Sequence, residues 1–186
     1  IEYAPQLYVN GRRARRAQSE ELIDVDDMFT LPGSLEEADG IVNKNTKYSA
    51  YKNAQDIQLH FARGWRSYTI NVEKISASSD GSRFQLRQPS LKAMMGLIST
   101  PSHSVTKGHN FILENAFEEL DTEGEFYYDR TDKKLYYIPR SDENMTSADV
   151  ELPVLEQLMS IRGRHGGDKV ENISFDNLTL GHTAWL

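Results

Sequence analysis

Apolar and polar positions alternate with a period of two along much of this chain, which predicts strands rather than helices. The clearest case is 56–61, where Ile57, Leu59 and Phe61 fall on one side and Asp56, Gln58 and His60 on the other. The next run, 65–75, places Tyr68, Ile70 and Val72 on one face and Ser67, Thr69 and Asn71 on the other. Gly64 between them predicts a bulge or tight bend. Ser79-Asp80-Gly81 then turns the chain into 83–87, with Phe84 and Leu86 inward. Two aromatic runs, Phe126-Tyr127-Tyr128 and Leu135-Tyr136-Tyr137-Ile138, flank a polar Thr131-Asp132-Lys133-Lys134 connection and predict an antiparallel hairpin. Pro139 lacks an N–H, so it sets the end of the second strand at an edge or corner. Near the start, Leu7-Tyr8-Val9, Asn10-Gly11 and Arg12 onward form another hairpin candidate, because Asn-Gly suits the positive-φ pair of a two-residue turn.

Helical signals are few. Leu91, Met94, Met95 and Ile98 have helical spacing and predict a short helix over 90–98. Residues 115–120 read as one or two helical turns, and 34–38 as a single turn inside an acidic excursion from 19 to 47 that Pro32, Gly33 and Gly40 punctuate. Residues 99–109 read as loop. Val150, Leu152 and Val154 alternate with Asp149 and Glu151, 158–162 predicts a further strand, and 163–167 a flexible connection. About ten strands with frequent turns define an all-β fold, an antiparallel β-sandwich or barrel with a few short helices. The tail changes character: Ile173 and Phe175 alternate, Asp176-Asn177 interrupts, and the apolar phase resumes at Leu178 and Leu180. Such a phase jump across a polar corner is what a rung of a β-solenoid requires, and one rung cannot bury its inner face alone. The expected organisation is therefore a sandwich or barrel domain over 1–168 and the start of a β-helix over 169–186.

At 186 residues the chain is long enough to bury roughly 70% of its unfolded surface without a covalent staple. The absence of cysteine excludes disulfides and thiolate metal sites. A net charge of -7 argues against nucleic acid as a partner, since phosphate contacts need clustered positive charge. No apolar run approaches the ~20 residues of a membrane span. The first residues lack the basic and apolar regions of a signal peptide and read as an internal cut in a longer polypeptide.

Four segments together resemble one family: QLYVNGRRARRAQ near the start, ENAFEELDTEGEFYYDRTDKKLYYIPR in the middle, and VELPVLEQLMSIRG followed by VENISFDNLTLGHTAWL at the end. The family is that of secreted carbohydrate-active enzymes built on a right-handed parallel β-helix whose early rungs are interrupted by an inserted β-sandwich or barrel domain. Fucosidase- and xylanase-type glycoside hydrolases are among them. The resemblance implies that the tail is the first rung of that β-helix and that the catalytic carboxylates lie on later rungs. It also implies a non-catalytic accessory role flanking the substrate cleft, an extracellular or periplasmic location, and a polysaccharide or oligosaccharide partner beside the remainder of the β-helix polypeptide. The alternative is a free-standing carbohydrate-binding or adhesion module. No cofactor is implied.

Within the chain itself, no catalytic set is evident. Glu123, Glu125 and Asp129 surround the aromatic hairpin, but nothing in their spacing places two of them across a glycosidic bond, and strand-end charges are mostly solvated. Asp24, Asp26 and Asp27 lack the glycine and distal glutamate of a calcium loop. The five histidines (His60, His103, His109, His165 and His182) show no i, i+4 pair, so no metal site is expected. A Ser–His triad is not expected, because no GxSxG elbow occurs. Arg12, Arg13, Arg15 and Arg16 form the basic cluster; the favoured reading is an exposed strand whose charges offset the acidity and discourage edge pairing, and the alternative is bidentate recognition of carboxylate-bearing sugars such as uronates. Tyr127, Tyr128, Tyr136 and Tyr137 alternate in facing, so half are expected in the core and half as a stacking platform or packing surface. Three sites, at Asn144, Asn172 and Asn177, fit the Asn-X-Ser/Thr glycosylation pattern, and the last two lie in the expected rung, where Asn suits a backbone corner. The substrate-contact candidates are Trp185 and His182, where the solenoid resumes, and Trp65 and Arg66 after Gly64.

Overall fold

A computed structural model describes residues 4–63, 66–96 and 105–184. Six short strands come first: β1 (Tyr8–Val9), β2 (Arg12–Arg13), β3 (Arg15–Arg16), β4 (Ile23–Asp24), β5 (Asp27–Phe29) and β6 (Gly40–Asn43). Then follow β7 (Gln58–Arg63), β8 (Arg66–Ser78), β9 (Gly81–Leu86), helix α1 (Ser90–Gly96), β10 (Asn110–Glu114), β11 (Glu125–Asp129), β12 (Lys134–Tyr137) and β13 (Val150–Glu151). Single 3-10 turns occupy Thr46–Ala50, Ala54–Asp56 and Phe117–Glu119.

Seven strands form one curled antiparallel sheet, a half-barrel in the order β4-β10-β7-β8-β9-β6-β5. Its curl originates in β8, the longest strand. Residues 66–71 of β8 pair with β7, whereas 72–78 pair with β9, with a register shift between Val72 and Lys74. A bulge of this kind bends and twists the strand that carries it. The inner face holds Leu59, Phe61, Ile70, Val72, Phe84, Phe111 and Leu113, all buried, and α1 closes it with Leu91 and Met94. Each of these large side chains contributes about 1.5–3 kcal/mol by leaving water.

Two three-stranded sheets, β13-β1-β2 and β12-β11-β3, pack around a second, smaller core of Leu7, Val9, Ala14 and Phe126. Here β3 runs parallel to β11, through Glu125↔Arg15 and Phe126↔Arg16. Residues 16–19 stitch the two cores together. The Ala17 N–H donates to the Phe126 carbonyl, the Asn115 N–H to the Ala17 carbonyl, and the Ser19 N–H to the Leu113 carbonyl.

The predicted hairpins form. Asn10 and Gly11 take φ of 51° and 69°, the positive pair needed for the β1–β2 turn, and Phe126↔Tyr137 through Asp129↔Lys134 align the aromatic strands. Elsewhere the excursion 19–47 is more ordered than its composition suggests. It contributes β4, β5 and β6, and the single helical turn expected over 34–38 is a hydrogen-bonded bend instead. Asp39 accepts from the Leu31 N–H at 2.7 Å and the Ser34 hydroxyl at 3.0 Å, and Ser34 Oγ accepts from the Glu36 N–H. Side-chain acceptors of this sort compete with helical bonding. Residues 158–162, expected as a strand, lie largely exposed with no ladder partner among the described residues. Gly64, expected as a bulge, lies outside the described residues.

Residues 169–184 carry no strand either. Asn172, Asn177 and His182 nevertheless sit at φ of 57°, 55° and 57°, three left-handed corners five residues apart. Between them Ile173, Phe175, Leu178 and Leu180 are all more than half exposed. At its end the tail returns to the body: the Ala184 N–H donates to the Leu155 carbonyl and Ala184 is buried.

Candidate functional site

The outward-facing residues of β7, β8 and β10 are the polar phase of the same alternation that builds the core. Strand register aligns Glu114, Gln58 and Asn71 in one cross-strand row and His60 and Thr69 in the next. Arg16 reaches over this row from β3. Its Nη1 donates to Gln58 Oε1 at 2.7 Å and to Glu114 Oε2 at 3.1 Å, while Gln58 Nε2 donates to Asn71 Oδ1 at 2.8 Å. His60 Nε2 lies 2.7 Å from Glu114 Oε2, and Thr69 Oγ1 lies 2.8 Å from His60 Nδ1. The Arg16 side chain is 9% exposed and that of Glu114 17%, so the ion pair is sheltered. Burial pushes the Glu114 carboxyl up, but the His60 hydrogen bond and the Arg16 charge outweigh it and hold the group below the usual carboxylate range.

Above this row lies an open cleft of about 640 Å³. Pro5, Arg13, Asp56, Arg87, Tyr128 and Arg130 line it together with the row. Arg130 is tied to the buried Asp56 through both Nε and Nη2. Arg87 Nε bonds Glu73 at 3.0 Å. The order Thr69–His60–Glu114 has the spacing of a nucleophile, base and orienting carboxylate. Glu114, however, is shared with Arg16, and the cross-strand ladders engage the neighbouring backbone N–H groups. No donor pair for an oxyanion converges here among the described residues. The set holds charged and hydrogen-bonding groups in fixed positions.

The carboxylates weighed in the sequence are engaged in structure. Asp129 accepts the N–H groups of Thr131 and Asp132 in the hairpin turn, and Glu123 accepts the Ser141 N–H at 3.0 Å. Glu125 is fully buried; that burial raises its carboxyl pKa against the pull of the Asp121 and Thr122 N–H groups and the Arg15 charge. Tyr127 packs with Tyr136 and Phe117 as an aromatic cluster, and Tyr137 against the smaller core, so these rings form packing surface. Asp26 and Asp27 bind the Lys44 and Met28 N–H groups. Among the described residues no cluster of acidic or histidine side chains could hold a metal ion.

Of the substrate-contact residues chosen from sequence, Arg66 and His182 lie at different places in the fold. Trp65 and Trp185 lie outside the described residues. Arg66 opens β8 opposite Arg63 and does not line the cleft. His182 stacks on Tyr8 with ring centroids 4.1 Å apart and bonds Glu151 at 2.6 Å, fastening the tail to β1 and β13. The sequence signal of the cleft is the arginine cluster of 12–16. Those arginines diverge: Arg12 pairs with Asp142, Arg15 with Glu125, Arg16 with Glu114, and Arg13 lines the cleft.

The described residues form a curled half-barrel with an appended small β-core. One solved structure shares the fold: a protein described as a glycoside hydrolase superposes with a TM-score of 0.63 at 24% identity over 84% of this chain. The chain spans only 27% of that protein's length. The chain belongs to the family described as GH141 insertion domain, which matches residues 2–140. It is thus an insertion domain of a glycoside hydrolase family. No curated protein matches it.

Proposed function

We propose that this domain is a non-catalytic accessory part of a secreted β-helix glycoside hydrolase acting on a polysaccharide, in which it flanks or shapes the substrate cleft. The observation that carries the reading is the tail. Left-handed corners at Asn172, Asn177 and His182, each of the first two followed by an alternating apolar pair, have the spacing that short strands joined by tight bends need. This supports the reading although no ladder forms there among the described residues. Four apolar side chains more than half exposed on one short segment need a covering surface. The next rung of a parallel β-helix, supplied by the rest of the polypeptide, provides both that surface and the missing ladder partners. The engagement of Glu123, Glu125 and Asp129 in backbone bonds supports placing the acid and nucleophile outside this domain.

Removal of residues 1–168 from the complete enzyme, with a short linker in their place, tests the accessory role. kcat/KM on polysaccharide falls about tenfold or more, roughly 1.4 kcal/mol of lost binding, whereas a small chromogenic glycoside is cleaved as before. Equal retention of both activities contradicts a role at the cleft; equal loss of both in a folded protein contradicts a non-catalytic one.

A further inference from the structure

The guanidinium groups around the cleft are unevenly engaged. Arg16 is committed to Gln58 and Glu114, and Arg130 to Asp56. Arg13 makes no side-chain hydrogen bond or salt bridge among the described residues and acts on Glu114 through its charge, and Arg87 uses only Nε, toward Glu73. Both carboxylates that line the space, Asp56 and Glu114, are already neutralised. A cleft on a protein of net charge -7 therefore presents a surplus of positive charge and of donors. Beside them sit the Asn71 amide and the His60–Thr69 pair, groups that meet hydroxyls as donors or acceptors.

We propose that this cleft binds an acidic oligosaccharide, with a sugar carboxylate received by Arg13 and Arg87 and the ring hydroxyls met by Asn71, His60 and Thr69. A planar guanidinium takes a carboxylate through two parallel N–H bonds, which a hydroxyl of a neutral sugar cannot reproduce. The volume of about 640 Å³ lies within the range of small-ligand sites and far exceeds that of an inorganic anion. The fixed row Arg16–Glu114–His60 supplies preorganisation, because these side chains are held by each other before ligand arrives. This site rests on the cleft and not on the β-helix reading, so each survives failure of the other.

The test titrates the 186-residue chain with trigalacturonate, cellotriose and sulfate by calorimetry, with amide chemical shifts reporting the contact residues. Trigalacturonate binds, perturbs the amides of Arg13, Asn71 and Arg87, and is released near 1 M NaCl, where the screening length is ~3 Å. Arg13→Ala weakens binding about tenfold or more, Arg13→Lys less, and Arg12→Ala, outside the cleft, leaves it unchanged. Melting curves confirm that each variant is folded. Equal binding of cellotriose, equal binding of sulfate at the same residues, an Arg13→Ala variant that binds like the parent, or no binding of trigalacturonate overturns the proposal.

Discussion

Arg16→Met removes the guanidinium that joins the small β-core to the polar face of the half-barrel while keeping an unbranched apolar stem. Two charge-assisted hydrogen bonds disappear, to Glu114 at 3.1 Å and Gln58 at 2.7 Å, and the Glu114 carboxylate keeps its hydrogen bond to His60 and the nearby Arg13 charge. A bond to a charged group contributes about 1.5–3 kcal/mol, and a sheltered ion pair broken on one side costs about 3–5 kcal/mol. Partial access of water to Glu114 places the expected loss near the lower figure, about 3 kcal/mol at pH 7. The pH dependence has a definite sign. The folded-state pKa of Glu114 is held below its unfolded value, so its contribution is fully present above the unfolded value and is lost as pH falls through the folded one. Without Arg16 the carboxyl takes up a proton at higher pH, and the penalty of the substitution shrinks on acidification. Urea denaturation of parent and variant at pH 7 and at about pH 4, the ordinary carboxylate range, measures both quantities. The double variant Arg16→Met/Glu114→Met is less destabilised than the sum of its single changes. A penalty below about 1 kcal/mol, or one equal at both pH values, refutes the reasoning.

Gly40→Ala in β6 places a Cβ 2.1 Å from the Phe84 carbonyl oxygen and 2.6 Å from the Phe29 ring, so thermal melting shows a loss of about 3 kcal/mol or more, or no folded protein. Leu7→Ala empties a core that has only three other buried members and costs about 2–5 kcal/mol by the same assay. Tyr48, Tyr127 and Tyr137 ionise at about 12, chiefly because burial disfavours the phenolate. Their folded pKa lies above the unfolded value near 10, so the stability they contribute is complete below that value and is lost as pH rises through 12. Phenolate absorbance recorded during alkaline titration shows these three delayed and released together with unfolding. His182→Ala removes the stack on Tyr8 and the bond to Glu151, and limited proteolysis then cuts the tail faster.

Strands with one dry and one wet face were legible, because a period of two separates Leu59 and Phe61 from Gln58 and His60 in the letters themselves. β6 was not: Gly40-Ile41-Val42-Asn43 is buried on both faces, so it shows no alternation. β4 and β5 are too short to carry a period. The parallel pairing of β3 with β11 joins residues more than a hundred positions apart, and no local pattern encodes it. The same limit hid the cleft. Alternation marks Glu114, His60 and Asn71 as outward, yet only tertiary pairing brings Arg16 over them and sets Arg13 at the cleft. The arginine cluster was visible, but its division among four different surroundings was not. In the tail the phase jump was legible, and the structure adds the left-handed corners at Asn172, Asn177 and His182 that make such a jump mechanically feasible.

Hydrogen exchange at residues 170–184, compared between this chain and a polypeptide extended beyond Leu186, tests the domain's placement on a β-helix most directly. Slow exchange around Ile173, Phe175, Leu178 and Leu180 in the longer protein, against fast exchange in the shorter one, is the predicted result. Equally fast exchange in both, or full protection already in the shorter chain, contradicts it.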